Sequence, residues 1–316
     1  MTVSEALEKL KDAVRVRHFS HATEKSYLLW LRSYMAAVRD FPAEWTPEKK
    51  IERFLTDEAR RGVAAGTQNQ AMNALLFFYK AVLKVKLGEF EGVRAKRPEH
   101  VRKALSVEET RALLAEVRDV GGYPTRLVAL LLYGAGLRVT EPLELRFKDV
   151  EIDARRLFIR GAKGAKDRVV DLPQVLAEAM GAQLHAARAV WRVDVAAGLP
   201  VAMPGLLAKK SPRMALTQAW AWVFPSHAPM KHPRTDERVR WRMHEVNVQR
   251  AVRAAAVRAG IATRVTPHFL RHSYATHVHQ AGANARDIQD ALGHVKLETT
   301  MRYLTPSKSK VRSPLD

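Results

Sequence analysis

The stretch Thr266-Pro267-His268-Phe269-Leu270-Arg271-His272, with Leu292-Gly293-His294 and Tyr303 behind it, constrains this chain more than any other. Thr266 followed by Pro267 has the form of a helix N-cap and first helical position, which puts His268 and Arg271 in the opening turns, three apart on one face. A helix N-terminus attracts anions and a guanidinium fork can hold two non-bridging phosphate oxygens, so this face suits a phosphodiester. Asn284 and Asp287 read as a capping pair that opens a second, short helix; Leu292-Gly293-His294 closes it, and Thr299-Thr300-Met301-Arg302-Tyr303 follows. A second imidazole and a phenol are thereby added. His268 and His272 are also an i, i+4 pair that could hold a metal, but Phe269 stands where a zinc-protease helix has its glutamate. A tyrosine on an amphipathic helix is ordinarily core, so Tyr303 takes its meaning from the joint spacing.

The charge balance narrows the partner. With 53 Lys+Arg against 33 Asp+Glu, a formal charge of +20, the chain calls for a polyanion, nucleic acid first. The basic residues run from Lys9 to Lys310 instead of gathering on one amphipathic helix, which argues against a membrane surface. There is no cysteine, which excludes disulfides, thiol catalysis and thiolate zinc sites. No apolar run approaches membrane-spanning length and the start lacks a signal peptide's apolar core, so a soluble, cytoplasmic protein is expected.

At 316 residues the chain is long enough for two domains. Val3, Leu7, Leu10 and Val14 recur at helical spacing, and Tyr27, Leu28, Leu31, Tyr34 and Met35 do so again. Thr46-Pro47 opens a third helix with Ile51, Phe54 and Leu55 inward; Gly62 and Gly66 punctuate before a fourth carrying Leu75, Leu76, Tyr79 and Val82. Residues 1–90 thus read as a compact four-helix domain, and 91–104, with five Lys or Arg around Pro98, as an extended basic linker. Ser106-Val107-Glu108-Glu109 is a capping box that starts a second domain spanning 105–316.

In that domain an apolar segment, 127–133, ends at Gly134-Ala135-Gly136 and delivers Arg138 to the mouth of the next helix. A guanidinium held between buried segments needs an anion, and Glu141 could supply it. Arg156-Leu157-Phe158-Ile159-Arg160 and Asp167-Arg168-Val169-Val170-Asp171-Leu172 read as two short strands around a turn holding Lys163 and Lys166. A loop lysine is usually just solvated, yet one reaching into a groove can protonate a leaving alkoxide. After a long helix over 175–195, residues 198–244 interleave tryptophan with basic residues. Trp220, Trp222 and Trp241 stand among Lys209, Lys210, Lys231, Arg234, Arg240 and Arg242. Such a mixture makes stacking platforms for unpaired bases, although Trp222 and Phe224 alternate as in a buried strand and read as core.

His268-x-x-Arg271, Leu292-Gly293-His294 and Tyr303 nine residues later resemble the C-terminal motif set of the tyrosine recombinases, the phage-integrase family. Gly136-Leu137-Arg138-x-x-Glu141 is similar to the family's first arginine motif, and Thr67-Gln68-Asn69-Gln70-Ala71-Met72-Asn73-Ala74-Leu75 to its core-binding domain. The resemblance implies a mainly α protein. A helical, SAM-like core-binding domain would occupy 1–90, followed by a mostly helical catalytic domain with a small antiparallel sheet. It implies a catalytic set of Arg138, Lys163, His268, Arg271, His294 and Tyr303 braced by Glu141, with Lys166 as the alternate lysine, no metal and no cofactor.

The insertion at 198–244 resembles that of integron integrases, which recombine a folded single strand bearing extrahelical bases. By that resemblance Lys210, Trp220, Pro233, Trp241 and Arg242 fall at base-contacting positions. The implied partners are duplex attI-like sites and folded attC-like strands, bound by a homotetramer. Ser211 departs from the subfamily's tyrosine, and Trp241-Arg242 from its His-His pair. The rivals are a phage-type integrase or chromosome-dimer resolvase confined to duplex sites, against which the insertion speaks, and a helix-turn-helix regulator, which has no use for Arg138, Lys163 and Tyr303 together.

Overall fold

The computed structural model describes residues 1–90, 104–161, 167–205, 207–235, 237–293 and 297–301. The chain divides into two compact units, Met1–His100 and Val101–Asp316. No helix among the described residues is long and apolar enough to cross a membrane.

The first unit is built from α1 (Val3–Val16), α2 (His21–Ala37), α3 (Pro47–Arg60) and α4 (Ala65–Phe77). Local chemistry starts these helices: Thr2 and Glu5 form a reciprocal capping box, and Ser20 and Thr46 cap α2 and α3 through their hydroxyls. Leu10, Val14, Leu31, Ile51 and Leu75 are fully buried in one core, each worth about 1.5–3 kcal/mol relative to exposure. The sequence places Gly66 before the fourth helix, whereas the helix begins at Ala65 and Gly66 lies in its first turn. Gly62 alone makes the break, at φ +79°. A π-helical turn, Phe78–Leu83, extends α4 and buries Phe78 and Tyr79. The Tyr79 hydroxyl meets that of Tyr34 at 2.8 Å.

The second unit begins at α5 (Val107–Glu116), whose Ser106 and Glu109 form the capping box legible in the sequence. The apolar helix α6 (Thr125–Gly134) is buried on nearly every side, with the short α7 (Thr140–Leu143) just beyond it. Strands β1 (Val150–Glu151), β2 (Arg156–Ile159) and β3 (Arg168–Asp171) form an antiparallel sheet in that order, with Leu157 opposite both Val150 and Val170. Helix α8 (Ala177–Ala196) leads to the insertion, which holds the one-turn α9 (Leu207–Lys210) and a ribbon of β4 (Met230–Lys231) and β5 (Arg238–Val239).

Then come α10 (Glu245–Arg258), α11 (Pro267–Gln280), α12 (Ala285–Leu292) and α13 (Leu297–Met301). Helix α6 packs against both α10 and α11, and α12 packs against α11 and β3. The sheet and the ends of α6, α11 and α12 therefore meet. Trp222 and Phe224 are buried as their alternation suggests, but Trp222 makes one isolated bridge to Arg146 instead of joining a strand.

Candidate active site

A glycine turn brings the first arginine into place. Gly136 follows α6 at φ +61°, and a Cβ there would lie 2.5 Å from the Tyr274 ring, so only glycine fits both the backbone and the space. The chain turns here and presents Arg138 to Glu141. The Arg138 backbone N–H donates to Glu141 Oε2 at 2.8 Å and its Nη1 to Oε1 at 2.7 Å. Arg138 keeps about a quarter of its side chain exposed, while the Glu141 carboxylate is 5% exposed.

Arg271 reaches the same point from α11. It is 1% exposed, and its Nη1 and Nη2 donate to the Gly136 and Leu292 carbonyls, both at 2.7 Å. Nη1 also lies 3.7 Å from Glu141 Oε2. One guanidinium thus stitches the glycine turn to the C-terminal end of α12, where unpaired helix carbonyls favour a cation. His268 is exposed in the first turn of α11, and His272, one turn on, is buried. The sequence sets His268 and Arg271 side by side on one face. In the structure Arg271 lies buried beneath the turn, because its position on α11 faces α6 and the end of α12.

Asn284 caps α12 by accepting from the Arg286 and Asp287 N–H groups, and Gly293 closes it at φ +61°. His294 follows Gly293 directly, but His294, Tyr303, Lys163 and Lys166 lie outside the described residues. The structure brings together Arg138, Glu141 and Arg271 of the expected set.

Sequence reasoning missed Arg168. Its Nη1 and Nη2 donate to Glu141 Oε1 and Oε2 at 3.0 and 2.8 Å, and its Nε donates to the Ala291 carbonyl at 3.0 Å. The signal lay in the strand alternation: Arg168 is in phase with the buried Val170, which points a charge inward. Burial pushes the Glu141 carboxyl up, but the Arg168 hydrogen bonds and charge, with the Arg138 N–H and the Arg271 charge, outweigh it and hold the group below its usual range.

A second set of residues gathers at the insertion. Trp220, Trp222, Trp241, Arg242, Arg146 and Lys148 line a pocket of about 420 Å³. Buried Arg146 donates to the Trp220 carbonyl at 2.5 Å and the Ala202 carbonyl at 2.9 Å, and its guanidinium lies 3.7 Å from the Trp222 ring centre. Burial drives its pKa down to about 10, although Asp149 and Glu144 pull the other way. Lys148 Nζ sits 3.9 Å from the Trp220 ring centre. Of the expected base-contacting residues, Trp220, Trp241 and Arg242 share this pocket; Lys210 and Pro233 are exposed and outside its lining. Arg146 and Lys148 precede the insertion by some fifty residues, so only the folded chain reveals them as its floor.

Residues 103–310 match the model of the Phage integrase family, and residues 6–89 that of the Phage integrase, N-terminal SAM-like domain. An integrase/recombinase of Escherichia coli is 38% identical, the match covering 98% of this chain and 93% of that protein. The tyrosine recombinase XerA of Thermococcus kodakarensis is 31% identical over 95% of this chain and 90% of its own. In fold the chain is similar to the Tn1549 transposon integrase in complex with transposon right end DNA, at a TM-score of 0.65 and 16% identity, covering 97% and 96% of the two chains. It is also similar to a lambda integrase tetramer bound to a Holliday junction, at a TM-score of 0.63 and 14% identity, covering 99% and 80%. The chain belongs to the phage integrase family, and is a tyrosine site-specific recombinase acting on DNA.

Proposed function

We propose that the protein cleaves and rejoins DNA at integron-type sites, integrating and excising cassettes between duplex attI-like sites and attC-like sites read as folded single strands. The observation that carries the strand-cleavage half is the convergence of Arg138 and Arg271, from opposite ends of the second unit, on buried Glu141. Cationic donors fixed before reaction stabilise charge as it grows on a scissile phosphate. Tyr303 attacks phosphorus. A Tyr303 oxygen–phosphorus bond forms as the bond to the 5′-oxygen breaks, Lys163 supplies the proton to that oxygen, and His268 assists transfer of the proton lost by Tyr303. His294 hydrogen-bonds the phosphate, and Glu141 braces Arg138. The 3′-phosphotyrosyl link stores the bond energy until another strand's 5′-hydroxyl attacks it. The scheme uses side chains alone, without metal or nucleotide.

In this reading residues 1–90 are the core-binding domain, 91–104 a basic linker and 105–316 the catalytic domain. Four subunits assemble on two exchanging arms, in the manner of the lambda integrase tetramer on its Holliday junction. The integron half is supported by the pocket in which Trp220, Trp241 and Arg242 meet, since a bulged base offers a stacking face that a duplex flank does not.

The test is covalent trapping on two labelled suicide substrates, a bulged hairpin and a duplex. Wild type should form a gel-stable adduct with the hairpin, and Tyr303→Phe should form none while binding with nearly unchanged affinity. An adduct with Tyr303→Phe would remove Tyr303 as the nucleophile. Cleavage of the duplex alone would return the protein to the duplex-only class.

A further inference from the structure

Arg168 lies outside the catalytic set, yet it spends its whole guanidinium at that site. A carboxylate has about four lone-pair directions. On Glu141, Oε1 accepts from Arg138 Nη1 at 2.7 Å and Arg168 Nη1 at 3.0 Å, and Oε2 from the Arg138 N–H at 2.8 Å and Arg168 Nη2 at 2.8 Å. Half of the carboxylate's bonds therefore come from Arg168. With both oxygens engaged from the β3 side, Glu141 has one direction left for the Arg138 side chain and cannot turn to chelate its fork end-on. The other fork nitrogen, Arg138 Nη2, turns instead to the Gly293 carbonyl at 3.4 Å, with about a quarter of the side chain left exposed. Arg168 is also wedged against the end of α12: its Nε donates to the Ala291 carbonyl, and a Cβ on Gly293 would come within 3.0 Å of its Cδ. A 10% exposed side chain thus joins three segments: β3, which begins five residues after Lys163 in the sequence; α7, which bears Glu141; and the end of α12, which precedes His294 in the sequence.

We propose that Arg168 is a positioning residue for strand cleavage: it sets the angle at which Glu141 holds Arg138, and it ties the strand after Lys163 to the helix end before His294. This rests on Arg138 being a phosphate ligand, and the test separates the two. Among the described residues the charged groups around Glu141 are Arg138, Arg168 and Arg271, with Glu144 on the same segment. Burial works against the Glu141 charge and Arg168 is its foremost counterweight, so without Arg168 the carboxyl takes up a proton at higher pH and loses acceptors for Arg138.

The experiment measures single-turnover adduct formation by the full-length protein on a suicide substrate across pH 5 to 9, with DNA affinity and Tm, for Arg168→Ala, Arg168→Lys, Glu141→Gln, Arg168→Ala/Glu141→Gln and Arg138→Ala. Arg168→Ala should cleave about 100-fold more slowly at neutral pH, the scale of a small misplacement of a reacting group, with unchanged DNA affinity. Its rate should fall further as pH drops, over a range where wild type is flat. Arg168→Lys should recover part of the rate and shift the acid limb back, and the double variant should be no slower than Glu141→Gln. Wild-type cleavage by Arg168→Ala would overturn the proposal. So would a loss that is equal in Arg168→Lys, independent of pH and additive with Glu141→Gln, which is the signature of packing alone. If Arg168→Ala does not fold, the pH profile of Arg168→Lys decides. Wild-type cleavage by Arg138→Ala would instead sink the phosphate-ligand reading beneath it.

Discussion

Arg240 and Arg271 are both almost fully buried, at 7% and 1% exposure, yet they sit in opposite electrostatic surroundings. Arg240 meets buried Asp194 with two bonds, Nε to Oδ2 at 2.7 Å and Nη2 to Oδ1 at 2.5 Å. Its Nη1 serves the Ser226 and His227 carbonyls at 2.9 Å each, while its own carbonyl accepts from Trp222 Nε1. One cation faces one anion, and the result pins the insertion to α8. Arg271 converges with Arg138 and Arg168 on Glu141, so among the described residues three guanidiniums share one carboxylate. The first centre is neutral and holds the fold. The second carries positive charge inside the protein, which is costly for stability and useful for an anionic transition state.

Breaking the neutral centre should produce the largest effect. Asp194→Ala strands a buried guanidinium, at a cost of about 3–5 kcal/mol. Thermal melts should show a steep fall in Tm, and adduct formation measured well below the new Tm should be close to wild type. A large loss of cleavage in fully folded Asp194→Ala would show that the two centres are not separable.

Arg138→Ala should do the reverse. Removing one preorganised donor from a developing charge costs about 10²–10³-fold, or about 2.7–4 kcal/mol, in cleavage rate. With its side chain a quarter exposed, Arg138 should leave Tm nearly unchanged. A fall in Tm matching that of Asp194→Ala would make the charged centre another structural brace.

Trp220→Ala extends the comparison to the pocket that the neutral centre supports. Trp220 is half-buried and its ring carries Lys148, so its loss should weaken binding of a bulged hairpin by about 1–3 kcal/mol and leave duplex binding unchanged. Equal losses on both substrates with a lowered Tm would place Trp220 in the core.

The smallest effect is that of pH on stability. The Glu141 carboxyl is depressed below its ordinary 4.5, so its contribution is complete above that value and is lost as pH falls through the lower folded one. Between pH 5 and pH 3 the Tm of Glu141→Gln should fall less steeply than that of wild type; parallel curves would show that Glu141 is not held charged in the fold.

Much of this architecture is written locally. The capping box at Ser106 and Glu109 and the Asn284 cap depend on neighbours within three residues, and the apolar pattern of β2 and β3 marks each strand by itself. The Arg138–Glu141 contact is legible for the same reason, since its partners are three residues apart. The start of α4 is not legible in the sequence, because Gly62 and Gly66 look alike there while only Gly62 takes a positive φ.

Composition and short-range pattern suffice for the helical class, the basic character and the spacing of the motif residues. Tertiary structure alone decided that Arg271 lies buried on the Gly136 and Leu292 carbonyls, and that Arg168 completes Glu141 from another strand. It alone laid Arg146 and Lys148 beneath the tryptophans of a distant insertion. These are pairings between segments far apart in the chain, and no local rule encodes them. A guanidinium finds its carboxylate or carbonyl only after helices and strands have packed, and the exclusion of water then makes that choice of partner strong.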